Sequence, residues 1–264
     1  MSVKKALATL PLVLNACGGG EGDDTPDGDT PQPGHGIWEG AISAGAITTT
    51  TSSSGVVDTS DSVFSSSRGV GLYTSDNRAF FYKEDDGTLF ANDLPGIFNN
   101  NLSFSPDIYR FGNVTGSVIF DGNPYVYTSI QGQYGTSITG NYVLSFDQKY
   151  LQEANLATLT GTWGYTSPAE NPIGDWVFAV AADGTFTITS NIEVSCSGIG
   201  YFTLIGDGSK NEYYLPSVRL DSCGTFTGFY KGIAATIDTS VQNDTIIMSI
   251  YNNDHGFFLK PAKN

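Results

Sequence analysis

From Gly36 to Leu259 the chain repeatedly alternates apolar and polar residues with a period of two, and short Gly-, Asp- and Asn-rich segments interrupt it before any run grows long. That period puts successive side chains on opposite faces of a strand, and the turn residues leave no room for a sustained helical repeat. Thr185-Phe186-Thr187-Ile188-Thr189, entered through Asp183-Gly184, is the clearest strand. Lys231, Ile233, Ala235 and Ile237 share one face of another, and Ile246, Met248 and Ile250 share a face of a third. Val70–Tyr73, Arg78–Lys83 and Leu89–Ala91 read the same way, as do Tyr142, Leu144 and Phe146. Asp85-Asp86-Gly87 reads as a turn, and so does Asp121-Gly122-Asn123-Pro124 between flanking strands. The fold expected is therefore all-β and antiparallel.

The pattern occurs twice. Gly36-Ile37-Trp38 opens a unit over residues 35–155, and Gly161-Thr162-Trp163 opens a second over 156–264. We expect two tandem β-barrel or sandwich domains, with about eight strands in the second, enough to close a small barrel filled by its own side chains. A Gly-x-Trp opening such a unit is similar to the lipocalins, and that resemblance favours an up-and-down barrel for the second domain. It also implies a basic residue on the last strand packed over the Trp; Lys260 is the residue that matches for Trp163, and the first unit has no matching base. Separately, Leu156 to Trp163, Ala182 to Phe186, Cys196-Ser197-Gly198, Cys223 and Thr227-Gly228-Phe229-Tyr230 together resemble a family of uncharacterised proteobacterial lipoproteins, over residues 140–264. That resemblance implies a lipidated chain with two β units and brings no activity with it.

The N-terminus points to export. Lys4 and Lys5 precede the nine-residue apolar stretch Ala6–Leu14, too short for a bilayer span of about 20 residues. Leu14-Asn15-Ala16-Cys17 resembles the lipobox of bacterial lipoproteins, although Asn15 departs from the small or apolar residue usual there. The resemblance implies a signal peptide over 1–16, diacylation of Cys17 and, with Gly18 following, an outer-membrane address. Residues 17–34 carry Glu21, Asp23, Asp24, Asp27 and Asp29 and no aliphatic side chain after Cys17, so they read as a solvated tether. As a flexible coil it spans about 20–25 Å. With Cys17 lipidated, Cys196 and Cys223 remain, either as a disulfide or as two buried thiols. An oxidising compartment permits the bridge.

The formal charge is −15, and removing Met1–Ala16, which holds Lys4 and Lys5 and no acid, takes it to −17. So anionic a chain argues against nucleic acid as a partner. The sequence holds no Gly-x-Ser-x-Gly, His-Glu-x-x-His or Cys-x-x-Cys, and its two histidines, His35 and His255, stand in no catalytic motif. No catalytic residue, metal ligand or cofactor is assigned. Aromatic runs are the remaining lead, because Phe80-Phe81-Tyr82, Tyr125 with Tyr127, and Tyr213-Tyr214 put rings on both faces of strands. Such strands belong either to a buried interdomain face or to an exposed binding patch. Phe81, Tyr125 and Tyr127 are the candidate binding residues.

The function expected is a membrane-anchored, non-catalytic binding or envelope-accessory lipoprotein that takes a small apolar ligand or a protein partner. A surface receptor or adhesin for a host protein, with long loops at 44–67 and 95–112, is the first alternative, and an enzyme of unrecognised type is the second. Cells fed labelled palmitate should label the wild type and not Cys17→Ala; equal labelling of both would remove the anchor from this reading.

Overall fold

The structure, a computed structural model, describes residues 35–44, 67–85, 87–92, 96–98, 101–117, 119–125, 129–134, 140–168, 173–238 and 242–264. The first sheet is built from β1 (Gly36–Ala44), β2 (Ser67–Tyr73), β3 (Ala79–Lys83), β4 (Thr88–Asn92), β5 (Gly96–Phe98), β6 (Asn101–Phe104), β7 (Asp107–Arg110), β8 (Asn113–Ser117), β9 (Phe120–Tyr125), β10 (Ser129–Tyr134) and β11 (Gly140–Asp147). The second comprises β12 (Gly161–Tyr165), β13 (Trp176–Val180), β14 (Thr185–Ser190), β15 (Cys196–Tyr201), β16 (Thr203–Leu204), β17 (Tyr213–Asp221), β18 (Gly228–Ile237), β19 (Thr245–Tyr251), β20 (Gly256–Leu259) and β21 (Ala262–Lys263). Among the described residues, helix is limited to one α-turn, α1 (Leu156–Leu159), and two 3-10 turns. The all-β expectation holds.

The second sheet closes. Each strand pairs antiparallel with its neighbour in the order β12-β13-β14-β15-β17-β18-β19-β21, and β21 returns to β12. That is an eight-stranded up-and-down barrel, with β16 and β20 as side pairings. Closure removes the sheet edges that would otherwise invite pairing with other chains. Inward residues alternate cleanly on β13, β14 and β15 and interlock as one core that includes Trp163, Trp176, Phe178, Phe186 and Met248. The interior is filled by side chains. Cys196 and Cys223 are joined by a disulfide inside this unit.

The first sheet stays open, in the order β5-β6-β9-β10-β11-β1-β2-β3-β4-β7-β8. It curls. Phe81 on β3 stacks on Tyr142 of β11 with ring centroids 6.2 Å apart, although β1 and β2 run between them. Three strand spacings on a flat sheet would separate them by about 14 Å. Gly71 lies directly opposite Phe81, and any Cβ there would collide with the ring, so the missing side chain makes the close approach possible. Trp38, Ile42, Phe90 and Leu144 complete this concave core.

The convex face of the same sheet packs on the barrel. Tyr82 stacks on Phe258 at 4.0 Å between centroids, Phe80 meets the same ring at 5.6 Å, and Ile233, Ala235 and Ile237 on the outer face of β18 join them. All five residues of β3 are therefore buried, as a strand between two cores must be. A second contact links β7–β8 to the β19–β20 turn, where the Tyr109 hydroxyl donates to the Asn252 carbonyl at 2.7 Å. The described residues belong to one compact unit.

One expected turn is not a turn. Asp121-Gly122-Asn123-Pro124 runs straight through β9. Non-local pairing overrides the local preference: β10 pairs along the whole strand, while β6 covers only Phe120 to Gly122. Pro124 thus lies past the described pairing with β6, and proline is best tolerated where a strand has a free side.

Phe81 is correspondingly a core residue, fully buried against Tyr142, and not part of an exposed binding patch. Phe81→Ala should cost about 3–5 kcal/mol of stability, the range for large buried aromatics. A thermal melt unchanged from wild type would place the ring at the surface instead.

Candidate functional site

Two places gather chemistry. The first is buried at the seam between the sheets. The β2–β3 turn projects onto the barrel, and Glu212, at the foot of β17, meets it. Ser75 N–H donates to Glu212 Oε2 at 2.9 Å, the Ser75 hydroxyl donates to Oε1, and the Tyr150 hydroxyl donates to Oε2 at 2.9 Å. Beside them His35 Nε2 lies 3.4 Å from Asn77 Oδ1, which also accepts from the Tyr73 hydroxyl at 2.9 Å. Arg78, paired with Asp76, lays its guanidinium over the Tyr214 ring at 3.8 Å.

Ser, His, Glu and Tyr together look like acid–base machinery, but their arrangement is that of a clasp. Glu212 is 1% exposed and His35 is 5% exposed. Every hydrogen bond to the carboxylate comes from a group that is itself structural. Burial pushes the Glu212 carboxyl above its ordinary range, against the opposing pull of the Ser75 and Tyr150 hydrogen bonds. Burial lowers His35, with the Asn77 hydrogen bond opposing. Among the described residues no three His, Cys, Asp or Glu side chains gather as a metal site would require.

The second place is the half of the barrel's outer surface that the first sheet leaves open. Strand register places Ala179, Thr187, Ile199, Arg219 and Phe229 directly opposite one another across β13, β14, β15, β17 and β18. The row beside it runs Val177, Thr189, Ser197, Asp221. Phe229 is 68% exposed, Ile199 48% and Tyr201 41%. Arg219 Nε donates to Asp221 Oδ2 at 2.8 Å, which uses one of the guanidinium's five donors. A groove of about 500 Å³ runs over Thr187, Ile199 and Tyr201 to Phe229. A second, of about 390 Å³, continues from Phe229 over Lys231 to Asn252 and Asp254. Phe229 and Ser217 line both, so the ring stands between them. Single exposed apolar residues are ordinary; a register-aligned row flanked by two grooves of ligand size is not.

The residues singled out from sequence fall elsewhere. Phe81 is core, as described above. Tyr125 ends β9, and only its backbone is described; Tyr127 lies outside the described residues. Trp38 and Trp163 are both buried near the start of their first strands. The base over Trp163 is Lys263 and not Lys260: its Nζ lies 5.2 Å from the ring centroid, because β21 pairs Lys263 directly with Trp163. Trp38 meets Phe146 edge-on at 5.3 Å. The long loop expected at 95–112 is largely strand, β5 to β7, while most of the one expected at 44–67 lies outside the described residues. His255 is tied to the first sheet, with Nδ1 3.1 Å from the Gly112 carbonyl. Sequence reasoning passed over Glu212 and Arg219, since neither stands in a motif, and met Phe229 only within the segment Thr227–Tyr230 of a family resemblance, without a role. Alternation marks Arg219 and Phe229 as outward facing, but only register brings them together.

Comparison with protein-family models, curated proteins and solved structures returned no match.

The seam carries its own test. A carboxyl whose folded pKa is raised lends stability in full below its ordinary pKa and loses it as pH rises through the folded value. Glu212→Gln keeps a carbonyl for Ser75 N–H and Tyr150, and its amide can donate to the Ser75 hydroxyl. Thermal melts should therefore match wild type in acid and exceed it near neutral pH. Glu212→Ala should melt lower at every pH, since the buried Tyr150 hydroxyl left unpaired costs about 1–3 kcal/mol. A Gln variant that melts below wild type at neutral pH would mean the charged carboxylate is what holds the seam.

Proposed function

We propose that this chain is a membrane-anchored envelope lipoprotein that works by non-covalent binding, and that its binding surface is the open outer face of the second barrel. The observation that carries the reading is the exposed row Ile199–Arg219–Phe229, aligned by register and bordered by the two grooves. A filled interior supports an external site, because the barrel's volume is taken by its own rings. Strand-borne side chains are held in place before a ligand arrives, so little conformational entropy is lost on binding. The sequence supports the anchor: Leu14 to Cys17 follows a short apolar stretch, and an acidic tether over 17–34 would hold the folded part away from anionic headgroups.

Hydrogen–deuterium exchange on the detergent-solubilised full chain, with and without isolated cell-envelope material, tests this. Added envelope should slow exchange on β14, β15, β17 and the start of β18 in the wild type. In Phe229→Ser the slowing should disappear while the melting temperature stays within a degree or two, as for other exposed positions. Exchange that is unchanged by envelope material, or slowed only in the first sheet, would overturn the assignment of this face.

A further inference from the structure

We infer that the two grooves flanking Phe229 bind an uncharged glycan chain, an inference that rests on the proposal that this face is the binding surface. A pyranose ring is amphipathic in a particular way: its axial C–H bonds make an apolar face, and its hydroxyls make a polar rim of paired donors and acceptors. A protein that recognises it needs an exposed ring to stack on, with short polar side chains around that ring. Phe229, 68% exposed, and Tyr201, 41% exposed, are two such rings on the same side of the barrel. Tyr201 adds a hydroxyl, which keeps a polar handle beside the apolar surface.

The polar groups around these rings are of the right kind. Thr187 and Ser217 bring hydroxyls, each both donor and acceptor, to the first groove, and Thr185, whose hydroxyl donates to Asp183 Oδ1 at 2.7 Å, brings an acceptor. Asn252, Asn253 and Asp254 bring amides and a carboxylate to the second. Asn252 is fixed by its own bonds, its Nδ2 donating to the Phe229 carbonyl at 3.2 Å and its Oδ1 accepting from the Asp254 and His255 N–H groups, which leaves at most one amide hydrogen for a ligand. Arg219 retains donors beyond the one given to Asp221.

Charge selects among glycans. The chain carries −15 overall, yet this face is balanced, with Arg219 and Lys231 set against Asp221 and Asp254. An anionic polymer would meet the repulsive field of the whole molecule without a local basic patch to offset it. A cationic one would be drawn by the overall charge but would meet Arg219 and Lys231 on the face itself. A neutral, hydroxyl-rich ligand loses least by docking there. Shape points to a chain and not a single sugar, because the grooves follow one another on either side of Phe229 and both are open along the surface.

The test uses the same exchange experiment with the envelope material divided into three portions: untreated, oxidised with periodate to cleave vicinal diols, and digested with proteinase. The glycan assignment expects slowing on β14, β15 and β17 that survives proteinase and disappears after periodate. Slowing that survives periodate and disappears after proteinase overturns the glycan while leaving the binding surface standing. No slowing with the untreated portion overturns both. As a second measurement, the full chain is titrated with neutral oligosaccharides of four to six hexose or N-acetylhexosamine units and with uronic-acid oligosaccharides of equal length. At least one neutral series should bind, tenfold or more tightly than the acidic series. Phe229→Ala and Tyr201→Ala should each weaken that binding at least tenfold, whereas Val194→Ala, exposed in the β14–β15 turn, should not change it. Tighter binding of the acidic series, or binding indifferent to Phe229→Ala, would overturn the assignment.

Discussion

The structure depends on one apolar seam. An open sheet of eleven strands cannot stand with a face of Phe80, Tyr82 and Leu89 exposed to water, and the barrel presents Ile233, Ile247 and Phe258 as the surface that covers it. Burying aromatic rings on this scale is worth a few kcal/mol per residue, far more than any single polar contact in the molecule. The seam explains why β3 is apolar on both faces, and why β18 and β19 read as near-continuous apolar strands where β14 alternates. It also divides the barrel's exterior into a covered half and an open one. The outer face bearing Phe229 exists because the first sheet packs elsewhere.

The polar groups of the seam serve a different end. Glu212, Tyr150 and Ser75 contribute little net energy, since a buried carboxylate gives up hydration that three hydrogen bonds only partly restore. Their geometry is directional where the apolar contacts are not. They set the β2–β3 turn at one position on the foot of β17, as Arg78 does by lying over Tyr214. This is a division of labour, apolar area for stability and a few satisfied polar groups for register.

On the open face the logic is reversed. Thr185, Thr187 and Thr189 point outward, as β14 of a one-sided sheet requires, and suit both strand propensity and solvent. Ile199, Tyr201 and Phe229 do not suit solvent, and they follow no structural need that the barrel core leaves unmet. Exposed rings on rigid strands beside short polar side chains are the features on which the proposed binding surface rests. The barrel's interior is lined by its own buried rings, among them Trp163, Trp176, Phe178 and Phe186.

What the sequence determined by itself is local. Period-two alternation and Gly-Asp turns identified most strands of the second unit, and turns such as Asp183-Gly184, where Gly184 has a φ of +85°, are set by residue chemistry alone. The two Gly-x-Trp segments marked where each sheet begins. What tertiary structure decided is non-local. Asp121 to Pro124 has turn chemistry and became a strand because β6 and β10 claimed it. Lys263 and not Lys260 covers Trp163 because the pairing of β21 with β12 places it there. Phe81 became core and Phe229 surface although both are phenylalanines in strands, because alternation assigns a side chain to a face but cannot say what covers that face. Which face is wet, and which residues from distant strands stand in one row, follow from closure and packing of the whole chain.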